Sequence, residues 1–228
     1  MKNITTIIFL LFMTFDLYGQ NQRAPVLVPP ANPIQSVLNI MKESKASGSL
    51  EFNGKCESFV YPGFPDFPPM VADSPTIGLP VQRIRLIFSK DPSMQVMQAP
   101  DGSIEMMEDN IPQDILNIKI SDINFGGANG SGVYNPNLAV QFVLYSPEVR
   151  KFVTLHSISF PFSGGGPISL ILGPPNPARP HISSEFHDVT VRFLLNQIAK
   201  TFQNLWIYEN CPTSAKGTRV VYIRFYQP

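Results

Sequence analysis

Apolar and polar positions along the chain change period several times, and each change predicts an element. Ile34, Val37, Leu38 and Met41 recur at i, i+3, i+4 and i+7 behind Asn32 and Pro33, a cap followed by a first helical proline, so a helix is predicted over 34–46. Gly48 ends it, and LEFNGKC (50–56) then alternates like a half-buried strand. Val81, Ile84 and Phe88 share one face of a predicted helix over 80–89, stopped by Pro92. MQVMQ and SIEMME flank the turn signal APDG (99–102), the pattern of a hairpin. A strand follows over 116–125, where Ile118, Ile120 and Ile123 carry a one-residue slip of the kind a bulge absorbs. The run NPNLAVQFVLYSPEVRKFVTLHSISF is apolar enough for a strand or a buried helix. Leu138, Phe142, Tyr145 and Val149 stand at helical spacing and favour the helix, with a second helical turn after Pro147.

The ending is the clearest passage. HISSEFHDV alternates as a strand, and VTVRFLLNQIAKTF is an amphipathic helix with Val191, Leu194, Leu195, Ile198 and Phe202 on one face. NLWIYENC and TRVVYIRFY read as two further strands, which makes a β-α-β-β unit. The predicted class is α+β, with short mixed or antiparallel sheets and packed helices.

Two long connections interrupt this pattern. Residues 57–80 hold six prolines, including YPGFPDFPPM, which rules out regular helix and confines any strand to an edge. Phe59, Tyr61, Phe64 and Phe67 crowd into the same stretch. They form either a loop pinned to the surface by its rings or a candidate binding loop of exposed aromatics beside proline. Residues 161–180 carry six prolines and four glycines, and GGANGSG (126–132) is a flexible loop.

The first residues, MKNITTIIFLLFMTFDLYG, place one lysine before an apolar run of about 12 residues, short of the roughly 20 that a spanning helix needs. This predicts a cleaved signal peptide over 1–19, an extended leader over 20–33 and a single α+β domain over 34–228. Removing 1–19 takes away Lys2 and Asp16, which leaves a formal charge of zero. A neutral chain gives no electrostatic reason to expect nucleic acid or an anionic membrane as partner. Charged residues make up only 15% and prolines number 23, yet 17 Phe and 7 Tyr supply the apolar surface of a folded core.

The two ends of the domain echo each other. SVLNIMKES (36–44) and FLLNQIAKT (193–201) match in frame, and a two-residue gap at Gly48 and Ser49 also brings LEFNGKC onto LWIYENC with the cysteines aligned. The passage HISSEFHDVTVRFLLNQIAKTFQNLWIYENC followed by TRVVYIRFY, residues 181–226, resembles the secretin and TonB short N-terminal domain, with its "V-T-V-R-x-x-L-x-x-I-A" helix. Pairing NPIQSVLNIMKESKASGSLEF with this ending further resembles an uncharacterised family of secreted bacterial proteins. The resemblance implies a small α+β unit and protein contact in the periplasm. Transport or secretion is not expected, since no barrel or ring-forming module follows.

Candidate chemistry is sparse. An even cysteine count in an exported chain favours a disulfide between Cys56 and Cys211 over two separate buried thiols. Its loop of about 155 residues would add roughly 4–5 kcal/mol in the chain-entropy model. His156, His181 and His187 have no metal-ligand spacing, and Glu185 and Asp188 complete no local triad, so surface histidines and no metal are expected. There is no G-x-S-x-G; SGGGP (163–167) lacks the Lys of a phosphate loop, and GGANGSG lacks the strand and helix of a dinucleotide site. Glu105, Glu108 and Asp109 would pair only through tertiary contacts. The expectation is a non-catalytic, cofactor-free protein-interaction module, periplasmic or secreted, with an envelope protein as partner. It binds no nucleic acid and has no stable membrane insertion once the signal is cleaved. The alternative is an envelope hydrolase acting on glycan or peptide through a tertiary carboxylate pair.

Overall fold

A computed structural model describes residues 34–54, 67–71, 77–126, 132–160, 178–211 and 218–227, all within one compact unit. The elements in chain order are α1 (Gln35–Ser44), β1 (Gly48–Asn53), α2 (Pro80–Ile87), β2 (Met94–Gln98), β3 (Ile104–Glu108), β4 (Lys119–Asn124), α3 (Pro136–Leu144) and α4 (Pro147–Leu155). They are followed by β5 (Ile158–Ser159), β6 (Glu185–Thr190), α5 (Val191–Phe202), β7 (Leu205–Cys211) and β8 (Arg219–Tyr226). The class is α+β, and the C-terminal β-α-β-β unit is β6-α5-β7-β8.

Local chemistry accounts for most boundaries. Pro80, Pro136 and Pro147 each open a helix, where the missing N–H costs nothing. The Asn135 side chain caps α3 by accepting from the Asn137 and Leu138 amides, and Thr190 caps α5 by accepting from Phe193 N. Lys45 and Gln203 end α1 and α5 in the left-handed conformation. The β2–β3 hairpin forms around the predicted turn, where Gly102 has φ +86° and Asp101 accepts from the Ser103 amide and hydroxyl.

Six strands form one mixed sheet in the order β2-β3-β1-β7-β8-β5, and β4 and β6 form a separate antiparallel ribbon. The central strands β3, β1 and β7 are mutually parallel. Side chains alternate between the faces, so Leu50, Phe52, Leu205 and Ile207 meet α1 and α2, whose Val37, Met41, Ile84 and Ile87 are fully buried. Trp206 and Tyr208 face the other way, into a second core with Val140 and Val143 of α3, Leu194 and Ile198 of α5 and Ile120 of the ribbon.

Four expectations are corrected. β1 is not half-buried, because with strands on both sides and helices on both faces it buries even Ser49 and Glu51. α3 turns Ala139, Val140 and Val143 inward and leaves Phe142 and Tyr145 exposed, a face rotated from the predicted one. Ile120 and Ile123 are both buried without a bulge in β4. Asp188, opposite Ser121 on β6, takes φ +49°, and the register of the two strands is unbroken. In β1 and β7 the gap placed to align the cysteines is wrong, since Gly48 pairs with Leu205 and Leu50 with Ile207.

Candidate functional site

A half-open groove of about 600 Å³ lies between the α3–α4 pair and β8 of the sheet. The two-residue β5 pairs with Arg219 and Val220, and the wall beyond is made by Val221, Ile223 and Phe225. Val140 and Leu144 of α3, Val153 of α4, and Ile158 and Phe160 complete an apolar lining. Asn137, Gln141, Thr154 and Ser159 add neutral polar groups, and the charged lining residues among those described are Arg150 and Arg224. Arg224 lies 3.8 Å from Glu209 and stacks over Tyr222. The Arg150 side chain is exposed and makes no ion pair among the described residues.

A polar network spans the carboxyl ends of the three parallel strands, a location where open sheets commonly place ligand sites. Glu51 of β1 is fully buried and accepts two bonds from Arg192 of α5, at 2.5 and 2.7 Å. Gln113 donates to Glu51 at 3.1 Å and accepts from Arg192. Alongside, Asn53 N donates to Glu108, Asn210 donates to Asn53 at 2.7 Å, and Arg219 donates to Asn210, Asp114 and Tyr208. Burial works against the Asp114 carboxylate, but the Arg219 bond and the Ile115 amide outweigh it and hold its pKa below the ordinary value. Burial pushes the Tyr208 hydroxyl well above its ordinary range. Every carboxylate here is thus engaged by a donor, and the network ties strands together.

The predicted binding loop is divided by the structure. Phe59, Tyr61 and Phe64 lie outside the described residues. Phe67 is half-buried, with its ring 6.0 Å from Phe52 and 6.5 Å from Tyr226, so it serves the core and is not an exposed anchor. Exposed apolar side chains appear instead at the adjoining α2, where Ile77, Leu79 and Leu86 are 87%, 62% and 54% exposed. Leu79 is the N-cap of α2 and Leu86 lies in its last turn, so the exposed aliphatic side chains stand at the two ends of that helix.

The remaining candidates separate. His187 pairs with Asp122 at 2.6 Å, His181 stacks on Tyr134, and His156 lies against Phe152. Among the described residues no three metal-ligating side chains group together, and no helix is long and apolar enough to cross a membrane. Glu108 is bonded to Asn53 and Asp109 to Gln95, while Glu105 stands three residues before Glu108 on β3. Cys211 ends β7, is buried, and is not a free thiol. Cys56 lies outside the described residues, two positions past Gly54, whose amide donates to Asn210 O at 2.8 Å. No protein-family model matches the chain, and neither the curated proteins nor the solved structures contain a match to it.

Proposed function

We propose that this chain is an exported, non-catalytic protein-interaction module that contacts an envelope protein through the exposed aliphatic side chains at α2. The observation that carries the reading is the exposed trio Ile77, Leu79 and Leu86 beside the aromatic, proline-rich connection. Scattered apolar residues are ordinary on a surface, whereas large aliphatic side chains gathered at one helix mark contact surfaces. The short-domain resemblance and the signal-like first 19 residues point to the same compartment and the same kind of partner. A glycan or peptide hydrolase would need one carboxyl held protonated as general acid. Asp114 has the opposite perturbation, and Glu51 is committed to Arg192.

The test is capture from envelope extracts with the mature chain as bait, comparing wild type with a Leu79→Ser/Leu86→Ser variant. Both positions are exposed, so the fold is expected to persist, as circular dichroism would check. A band lost with the variant supports the reading, and full retention of every wild-type band overturns it. Phe67→Ala is unsuitable as the probe because it opens a hole against Phe52.

A further inference from the structure

We propose that the groove between α3, α4 and β8 is a binding site for a single-chain amphiphilic carboxylate, of the kind a free fatty acid presents. It lies on the opposite face of the sheet from α2 and stands independently of the protein-contact reading. The groove of about 600 Å³ falls within the roughly 300–1,000 Å³ range of small-molecule sites. Its body is aliphatic and aromatic, formed by Val140, Leu144, Val153, Ile223 and Phe225. A hydrocarbon chain entering it loses no hydrogen bonds and covers apolar surface of these side chains.

Charge selects the head group. The charged side chains that line the groove among the described residues are Arg150 and Arg224, and of these Arg224 is already paired with Glu209 at 3.8 Å. Arg150 stands exposed on the groove side of α4, one turn before Thr154 and without an ion-pair partner among the described residues, so a carboxylate there meets a guanidinium not already neutralised. An amine would meet like charge, and an alcohol would gain the chain contacts alone.

The experiment is calorimetric titration of the mature chain with dodecanoate below its critical micelle concentration, alongside octanoate, dodecanol and dodecylamine. Saturable binding near one equivalent is expected. A buried CH₂ is worth about fourfold in affinity when fully enclosed, and about twofold is expected in a half-open groove, so dodecanoate should exceed octanoate by about 16-fold. Arg150→Gln should weaken dodecanoate about tenfold and leave dodecanol unchanged. Thr154→Trp, which puts bulk into the groove from an exposed position, should abolish binding of both. Binding that is absent, that fails to distinguish dodecanoate from dodecylamine, or that survives Thr154→Trp overturns the proposal.

Discussion

Replacing Arg192 by methionine tests whether the network at the strand ends holds the two layers together. Glu51 sits at 0% exposure in the central strand, while the Arg192 side chain reaches it from α5 with 23% of its own surface still accessible. Methionine keeps most of the stem against Trp206, whose ring the guanidinium now overlies at 5.9 Å, but removes both charged donors. Among the described residues Glu51 is then left with the Gln113 amide at 3.1 Å. Breaking a buried pair from one side costs about 3–5 kcal/mol, because the surviving charge stays desolvated. With a urea slope of about 2–3 kcal/mol/M for a domain of this size, the midpoint should fall by about 1–2 M. The double variant Glu51→Met/Arg192→Met should recover most of that loss, since neither charge is left buried. Urea unfolding followed by the fluorescence of the single tryptophan, Trp206, reads all three proteins. A shift under about 0.3 M for the single variant, or a double variant no more stable than it, would refute the reasoning.

Four further outcomes follow from the same geometry. Gly48→Ala would set a Cβ on the Ile104 carbonyl oxygen and 3.3 Å from Met41 Cε, so β1 and β3 must separate and about 3 kcal/mol should be lost in thermal unfolding. Asp101 and Asp114 both have lowered folded pKa values, so their stabilisation is present above about pH 4 and lost as pH falls through the folded values. Asp114→Asn should flatten that acid limb of the stability profile. His187, raised chiefly by its bond to Asp122, should titrate by NMR above the free imidazole value near 6.5, and Asp122→Asn should lower it; its stabilisation is present below that value and lost as pH rises past the folded one. The Cys56–Cys211 bond should appear as a crosslinked peptide in non-reducing mass spectrometry of the exported protein, and two alkylated thiols would remove it.

Much of the fold was legible where neighbours in sequence decide the matter. The stripes Val37–Leu38–Met41 and Leu194–Leu195–Ile198 are buried as their spacing predicts, and the prolines at 80, 136 and 147 open helices as their chemistry requires. What was not legible depends on distant neighbours. α3 is apolar nearly all round, so periodicity could not say that Val143 rather than Phe142 turns inward; the position of the sheet decides it. Nor could alternation reveal that Glu51 is buried, because its partner Arg192 stands 141 residues away. The groove is built from α3, α4, β5 and β8, no two of whose lining residues form a motif, and it lies beyond the two-residue pairing of β5 with β8.

The echo between the two helix-strand units takes a different form in three dimensions. SVLNIMKES and FLLNQIAKT align at an offset of 157 residues, and β1 and β7 pair at that same offset, as the Asn53–Asn210 bond records. No gap is needed, so the match is a statement about strand register and not about the cysteines. The two helices then lie on opposite faces, α1 against Leu50 and Ile207, α5 against Trp206. A pattern repeated in sequence therefore builds adjacent parallel strands covered from both sides, which is why the sheet's centre carries no exposed face and why Glu51, Asn53 and Asn210 are bonded to other protein groups. In this register Cys211 reaches only the level of Gly54. A bond to Cys56, two residues past Gly54, would fasten the start of the aromatic connection to the end of β7. Reducing that bond should accordingly alter capture at α2 as well as stability, whereas a crosslink serving stability alone would leave capture unchanged.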